Sequence, residues 1–316
     1  MALIETRNLK KYFPTSRGVL HAVDDVTLSI DKGKTMGVVG ESGCGKSTLG
    51  RTIIHLYEST GGQILYDGED VTKVNAKGLT QVRKNMQIIF QDPYSSLNPR
   101  LTVESTVQEA LKIAHGYKGN ELDRATDRLM ALVGIDRRMR ESYPHELDGG
   151  RRQRVGIARA LAVDPKFIVC DEPVSALDVS IQAQILNLLE ELQEQLGLSY
   201  MFITHDLSVV RHISDDICVM YLGQLVETSP SNELFHNPVH PYTKALLSAI
   251  PSMDIDHEHK RIQLKGEIVS PIDPEPGCRF AARCPYATDQ CRQTQQLREI
   301  APRHFVSCCR AEEINS

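Results

Sequence analysis

The octapeptide Gly40-Glu41-Ser42-Gly43-Cys44-Gly45-Lys46-Ser47 matches the pattern G-x-x-x-x-G-K-[ST]. The mostly apolar residues 34–40 are typical of a short buried strand, and Lys46 to Gly50 are typical of the start of a helix. In this setting glycines let backbone N–H groups converge on phosphate oxygens at a helix N-terminus, which a chance glycine-rich turn would not do. We therefore predict a nucleotide-binding loop in which Lys46 contacts the β- and γ-phosphates and Ser47 binds Mg²⁺.

A second strand, Phe167-Ile168-Val169-Cys170, ends in two adjacent carboxylates, Asp171 and Glu172. Ligands of open α/β sheets lie outside the carboxyl ends of the strands, so both side chains are expected near the nucleotide. Asp171 suits the metal, directly or through water, and Glu172 suits the general base that orients the attacking water. Without the phosphate loop, an exposed acidic turn before Pro173 would be the better interpretation.

Length, composition and charge exclude several classes of protein. A chain of 316 residues with 41% apolar and 24% charged residues is an ordinary globular protein of one large domain or two smaller ones. With 36 basic and 41 acidic side chains it carries a net charge of −5, which argues against a nucleic-acid partner. The start has no apolar stretch after a basic one, and no apolar run approaches the ~18 residues of a membrane span. We expect a cytoplasmic chain that meets a membrane only through a partner.

The remaining sequence alternates between strand-like and helical patterns. Apolar runs at 86–90 and 167–170 predict strands buried on both faces, hence a parallel sheet with helices on both sides. Strand candidates at 200–204 and 217–221 continue the β-α-β alternation. Apolar residues at helical spacing from Ile181 to Leu196 predict an amphipathic helix that ends before Gly197. From about 93 to 163 the pattern is charged and helical without a convincing strand, which predicts an inserted helical subdomain.

Three further motifs occur in order: Gln91 after an apolar strand, Ser175-Ala176-Leu177-Asp178, and His205 in Ile203-Thr204-His205-Asp206. With the phosphate loop and the Asp171-Glu172 strand, they make residues 1 to about 235 resemble the ATP-binding subunits of ABC transporters. The resemblance implies an α/β P-loop NTPase fold, namely an ABC-type nucleotide-binding domain with an inserted helical subdomain and a cysteine-rich C-terminal tail. It implies an ATPase domain over 1–255, with the helical subdomain at about 93–163, and a C-terminal extension over 256–316.

The resemblance also implies roles for individual residues. Gln91 would contact Mg²⁺ and the attacking water while sensing a membrane partner, and His205 would hydrogen-bond the γ-phosphate. Phe13 occupies the position that stacks on adenine, with Tyr12 the next candidate, although an aromatic there could equally belong to the core. The implied catalytic residues are Glu172, His205, Lys46 and Gln91, and the implied Mg²⁺ ligands are Ser47, Gln91 and Asp171. The implied ATP contacts are Phe13, Gly40, Ser42, Gly43, Cys44, Gly45, Lys46, Ser47, Thr48, Gln91 and Asp171.

The signature motif departs from the family, since the usual Leu-Ser-Gly-Gly-Gln is here Leu147-Asp148-Gly149-Gly150-Arg151. In the family this segment reaches across a head-to-tail dimer to the other subunit's γ-phosphate. A carboxylate there loses a hydroxyl donor and adds repulsion of ~4 kcal/mol at ~4 Å and an effective dielectric of ~20. The milder interpretation, which we favour, is that Asp148 caps the following helix and that Arg151 offsets its charge.

Two segments narrow the resemblance to oligopeptide/dipeptide importer ATPases, namely 92–100 after Gln91 and Asn237-Pro238-Val239-His240-Pro241-Tyr242 with the residues up to Leu247. The implied function is the ATP-hydrolysing, energy-coupling subunit of an ABC importer for di- and oligopeptides. It would work as a nucleotide-sandwich dimer on two transmembrane permease subunits at the cytoplasmic face of the cell's inner membrane.

The implied partners include a second ABC ATPase subunit and, indirectly, an extracytoplasmic solute-binding protein. Asp148 favours a paralogue with an intact signature over a second copy. Alternative functions are import of nickel or an oligosaccharide, or a soluble non-transport ABC ATPase, although this chain has neither two fused cassettes nor a long coiled-coil insertion. A non-hydrolysing scaffold is disfavoured because Glu172 and His205 are both present.

Five of the eight cysteines fall between 278 and 309. Cys278, Cys284, Cys291 and Cys308 supply enough thiolates for a tetrahedral metal site, which would stabilise a short, proline-broken tail. By resemblance to the peptide importers we predict a [4Fe–4S] cluster, with Zn²⁺ as the alternative and free thiols as the remaining one. Cys309 is either spare or the true fourth ligand.

Overall fold

The computed structural model describes residues 1–250, 262–264, 266 and 269–315. The strands are β1 (Ala2–Thr15), β2 (Gly18–Asp31), β3 (Thr35–Val39), β4 (Gly61–Tyr66), β5 (Glu69–Asp70), β6 (Met86–Ile89), β7 (Phe167–Asp171), β8 (Ser199–Ile203), β9 (Asp216–Tyr221), β10 (Gln224–Pro230), β11 (Arg298–Ala301) and β12 (His304–Val306). The helices are α1 (Lys46–Ile53), α2 (Ala76–Asn85), α3 (Pro93–Ser96), α4 (Val103–His115), α5 (Gly119–Leu132), α6 (Gly149–Leu161), α7 (Val179–Leu196), α8 (Leu207–Ile213), α9 (Ser231–His236), α10 (Pro241–Leu247) and α11 (Ala311–Asn315). Within the described residues, no helix is both long enough and apolar enough to cross a bilayer.

The chain divides into two compact units. The first holds Met1, Asp31–Lys34 and Lys73–Met201. The second holds Ala2–Ile30, Thr35–Thr72 and the described part of Phe202–Ser316.

The first unit combines a parallel strand pair with a helical region. Strands β6 and β7 run parallel, with Met86 opposite Phe167 and Ile89 opposite Cys170. Every residue of β7 is buried, including Asp171 at its end, and the apolar run 167–170 is what a strand covered on both faces requires. Between β6 and β7 the described structure is helical, and α4, α5 and α6 pack against one another.

The second unit contains an antiparallel sheet in the order β2-β1-β4-β5. It also contains β3, which runs parallel to β9 with Val38 opposite Cys218. Beyond β9 the pairing becomes antiparallel, through β10 and β12 to β11. The core of this unit includes the fully buried side chains of Phe202, Tyr242 and Phe280.

The predicted parallel pairing is present between β6 and β7 and between β3 and β9, and the second unit adds antiparallel strands that the sequence analysis did not predict. Strands β9 and β10 form a hairpin whose turn residues, Leu222 and Gly223, have φ of 44° and 86°. Positive φ at both turn positions matches the right-handed twist of antiparallel strands. Strand β2 alternates buried and exposed residues from Val26 to Asp31, the pattern of a strand with one face on the core.

The C-terminal extension joins the second unit by strand addition. Strand β12 pairs with β10, with Val306 opposite Glu227, and β11 pairs with β12. Phe280, which is 1% exposed, lies 5.2 Å from the Tyr221 ring and 5.4 Å from the Tyr242 ring, measured between ring centroids. The extension thus gains its apolar packing from the strands and helices that precede it.

Candidate nucleotide-binding site

The phosphate loop connects β3 to α1 and is shaped by two glycines. Gly40 has φ of 152°, and a Cβ there would lie 2.2 Å from the carbonyl oxygen of Met220. Gly45 has φ of 106°, and its Cβ would lie 2.0 Å from the carbonyl oxygen of Ala22. Any side chain at either position would collide with backbone, so the loop depends on glycine for its course.

Lys46, the first residue of α1, closes the loop from inside. Its side chain is 5% exposed, and Nζ donates to the carbonyl oxygens of Gly40 at 2.8 Å and Glu41 at 3.0 Å. A buried ammonium at a helix N-terminus attracts anions, because the helix dipole and the unpaired N–H groups act in the same direction. The loop is therefore suited to bind phosphate.

The other loop residues differ in exposure. Ser42 and Gly43 are exposed at the loop tip, and Ser47 and Thr48 are half-buried in the first turn of α1. Cys44 is buried with Sγ 3.8 Å from Lys46 Nζ, and burial raises the pKa of its thiol. Its side chain therefore belongs to the base of the loop, so that Cys44 can face a phosphate only through its backbone.

At the carboxyl ends of β6 and β7, the first unit brings three polar side chains together. Gln91 Nε2 donates to Glu172 Oε2 at 2.9 Å and to Ser175 Oγ at 3.4 Å. Asp171 is buried at the end of β7, and Glu172 follows it with φ of 49°. A left-handed backbone is uncommon for glutamate and is a feature of functional sites, where surrounding structure holds it in place. An amide and a carboxylate so joined can orient a water molecule.

The signature segment is held at the start of α6. Asp148 caps this helix, because its Oδ1 accepts a hydrogen bond from the Arg151 N–H at 2.8 Å. Arg151 Nε also lies 3.4 Å from Asp148 Oδ2, with both side chains exposed. The predicted cap and charge pair are confirmed, although exposed pairs contribute little.

The signature glycines are closely packed within the first unit, next to the buried Leu147. A Cβ on Gly149 would lie 2.9 Å from Leu177 Cδ2, and one on Gly150 would lie 2.5 Å from Ile181 Cγ2. The absence of side chains therefore lets the start of α6 approach the 175–178 segment and α7.

The remaining predicted residues lie in the second unit. His205 is exposed just after β8. Tyr12 stacks on the His21 ring at 3.9 Å between centroids, and its hydroxyl donates to Asp24. Phe13 is half-buried and meets the Tyr57 ring edge-on at 5.6 Å. Because Tyr12 is already engaged, Phe13 remains the better stacking candidate.

Sequence reasoning missed the residues that hold Glu41 in the phosphate loop. Tyr242 and Arg283 both bond to it, at sequence separations of 201 and 242 residues. Tyr242 lies in the segment 237–247, whose sequence indicates only the resemblance to peptide importers, and Arg283 precedes Cys284. Neither carried a signal of its own.

Two family profiles match the chain. One, described as ABC transporter, matches residues 23–175, and the other, described as the C-terminal region of oligopeptide/dipeptide transporters, matches residues 226–291. The oligopeptide transport ATP-binding protein AppF of Bacillus subtilis is 51% identical over 97% of this chain and 96% of its own length. The protein of the same description named OppF from Salmonella typhimurium is 49% identical over 99% of this chain and 97% of its own length.

The predicted [4Fe–4S] cluster is wrong. The eight cysteines are free thiols, and within the described residues no group of three or more His, Cys, Asp or Glu side chains could hold a metal ion, Zn²⁺ included. Burial raises the pKa of Cys278 to about 12 and also raises the pKa values of Cys284 and Cys308. The relatives are described as ATP-binding proteins of peptide transport, without mention of iron–sulfur.

Solved structures of ABC cassettes share the fold. CbiO1 of Clostridium perfringens, described as part of the ABC transporter complex CbiONQ, aligns with a TM-score of 0.67 and 27% identity over 75% of this chain and 91% of its own. The cassette MJ0796, described as a dimer in a post-hydrolysis state with ADP and Pi, aligns with a TM-score of 0.66 and 29% identity over 72% of this chain and 98% of its own. Because the chain is about half identical to its relatives AppF and OppF over nearly its whole length, it belongs to the ATP-binding subunits of ABC transporters, within the oligopeptide/dipeptide transporter family.

Proposed function

We propose that this chain hydrolyses ATP to drive the import of di- and oligopeptides. The observation that carries the proposal is the phosphate loop closed around the buried Lys46, in a chain 51% identical to an oligopeptide transport ATP-binding protein. The proposed ATPase domain covers 1–255 and the proposed extension 256–316. Phosphoryl transfer needs positioning and charge stabilisation more than covalent help, and a rigid loop with an internal cation supplies both.

In the proposed mechanism the triphosphate meets the N–H groups of the loop and the N-terminus of α1. Lys46 Nζ, now bonded to two loop carbonyls, turns to the β- and γ-phosphates, and Phe13 stacks on the adenine. Ser47, Asp171 and Gln91 offer the hydroxyl, carboxylate and amide oxygens that Mg²⁺ prefers, so these residues fit the metal. When bound, Mg²⁺ neutralises charge that develops between the β- and γ-phosphates.

Glu172 is the proposed general base for the attacking water. Its Oε2 already accepts the Gln91 amide at 2.9 Å, so Gln91 can align the carboxylate and the water together. We assign His205 to the γ-phosphate. The segment 147–151 completes the ATP site of a second ATPase subunit.

The proposed partners are two transmembrane permease subunits at the cytoplasmic face of the membrane and a second ATPase subunit, proposed as a paralogue. A solute-binding protein outside that membrane would act through the permeases. Closure of the two ATPase subunits on ATP would rearrange the permeases, and hydrolysis would reset them.

The test uses the assembled transporter reconstituted in lipid vesicles. Glu172→Gln is expected to abolish ATP turnover while ATP binding persists, and Lys46→Ala is expected to abolish binding. Glu194→Gln, the same change on the exposed face of α7, is the matched control and is expected to behave as wild type. Labelled di- and oligopeptides are expected to accumulate with ATP. Turnover retained in Glu172→Gln, or uptake of nickel or an oligosaccharide in place of peptides, would overturn the proposal.

A further inference from the structure

Glu41, the second residue of the phosphate loop, is held at three points. Its N–H donates to Tyr242 Oη at 2.9 Å, and its carbonyl oxygen accepts from Lys46 Nζ at 3.0 Å. Its carboxylate accepts two hydrogen bonds from Arg283, from Nη1 at 2.6 Å and from Nη2 at 3.2 Å. One loop residue therefore links the phosphate-binding lysine to side chains that follow β10.

The pair of Arg283 and Glu41 is enclosed. The Arg283 side chain is 9% exposed and that of Glu41 is 24% exposed, and the guanidinium carbon lies 6.0 Å from the centroid of the Tyr221 ring. A bidentate ion pair between arginine and a carboxylate fixes the relative orientation of the two groups as well as neutralising their charges. Removing one partner of a buried pair leaves the charge of the other uncompensated. In contrast, Arg303, which pairs with Asp216 at 2.7 Å, is 68% exposed.

The position of Arg283 follows from the packing of the extension. It ends the 3₁₀ helix Ala281–Arg283, and its N–H donates to the carbonyl oxygen of Phe280 at 2.9 Å. Phe280 is buried against the rings of Tyr221 and Tyr242. The same aromatic cluster thus fixes Arg283 and supplies the Tyr242 hydroxyl that holds Glu41.

We propose that Arg283 is a positioning residue for ATP, through which docking of the C-terminal extension sets nucleotide affinity. This inference rests on the proposed binding of ATP to the loop. Arg283 acts in two ways that add. It fixes the Glu41 peptide, so less loop entropy is lost when phosphate binds. It also neutralises the Glu41 carboxylate, which would otherwise repel the triphosphate.

The test measures ATP affinity of the purified full-length chain by calorimetry. Arg283→Gln is expected to raise the Kd about tenfold, within the usual range of coupling between two sites. Arg283→Lys keeps the charge and loses the two-point geometry, so a rise of about threefold is expected. Arg303→Gln also removes an ion pair between the extension and a preceding strand, and its Kd is expected to stay within about twofold of wild type, as for other exposed pairs.

A second readout separates positioning from folding. In the assembled transporter, Arg283→Gln is expected to raise the KM for ATP while kcat at saturating ATP is unchanged. An unchanged Kd in Arg283→Gln, or an equal rise in Arg303→Gln, overturns the inference and leaves the proposed ATPase intact. If Arg283→Gln does not fold, Arg283→Lys decides, and an unchanged Kd in that variant has the same meaning. Absence of ATP binding in wild type would overturn the proposed function itself.

Discussion

Replacing Glu227 with glutamine is expected to destabilise the protein by about 3 kcal/mol, because this buried carboxylate joins three parts of the second unit. Glu227 lies fully buried on β10. Its Oε1 accepts from the Val239 N–H at 2.8 Å and from His304 Nε2 at 2.7 Å, and its Oε2 accepts from the His240 N–H at 2.9 Å. Strand β12 and the segment before α10 therefore share one anchor.

The magnitude follows from the hydrogen bonds that glutamine cannot make. Its Oε1 can keep Val239 and His304, but its Nε2 would face the His240 N–H, donor against donor. A buried donor without a partner costs about 1–3 kcal/mol, and a bond to a charged acceptor is worth about 1 kcal/mol more than a neutral one. The sum is about 3 kcal/mol.

The measurement is urea unfolding of the full-length chain at pH 7, followed by circular dichroism. Glu312→Gln is the matched control, since Glu312 pairs with Arg298 at 2.8 Å but is 79% exposed. That variant is expected to lose at most about 1 kcal/mol. Limited proteolysis is expected to release the β11–β12 hairpin earlier in Glu227→Gln. Equal stability of the two variants would refute the reasoning.

Three further outcomes are expected. Asp148→Ala removes the cap of α6 and is expected to cost about 1 kcal/mol in thermal unfolding, whereas Asp148→Ser, an equivalent cap, costs a few tenths; equal losses would contradict the capping role. Burial lowers the pKa of His240 from 6.5 to about 4, so the unfolded chain binds a proton at a higher pH than the native protein does. The stability that the neutral side chain contributes is therefore complete above pH 6.5 and is lost as pH falls towards 4. Because of His240, the free energy of unfolding in urea should be about 2 kcal/mol lower at pH 5 than at pH 7. A His240→Asn variant whose stability depends on pH as strongly as that of wild type would be evidence against this role of His240. Gly150→Ala is expected to cost about 1–3 kcal/mol through overlap with Ile181, and Ile181→Ala in that background should restore part of the melting temperature; no restoration would locate the cost elsewhere.

The strands buried on both faces could be predicted from the sequence. The runs at 34–40 and 167–170 became β3 (Thr35–Val39) and β7 (Phe167–Asp171), and the helical spacing from Ile181 became α7 (Val179–Leu196). Continuous apolar runs next to a glycine-rich loop leave few alternatives. The antiparallel strands did not stand out, because their alternation is short and their pairing is set by turns such as Leu222-Gly223.

The parts of the site could be predicted where a motif carries the chemistry, as at Lys46 and Glu172. The contacts among side chains could not, since nothing in the local sequence around Glu41 specifies Tyr242 or Arg283. Such pairs form because the fold brings distant segments together, and the sequence records only that a charged or aromatic residue exists. The sequence likewise shows that the cysteines cluster along the chain, but clustering alone does not determine whether they bind a metal.

Besides its strand pairing and the apolar packing of Phe280, the extension is held to the rest of the second unit by polar anchors. Arg279 donates to Asp24 and to the carbonyl oxygen of Leu222, and Arg283 binds Glu41. Both anchors lie beside the phosphate loop, because the Asp24 N–H bonds to Gly223 in the β9–β10 turn and Gly223 donates to the Cys44 carbonyl oxygen at 2.8 Å. An extension fastened at these points restricts the loop's backbone before any nucleotide arrives. It therefore contributes to the phosphate site as a structural support of the loop and not as a separate metal-binding module.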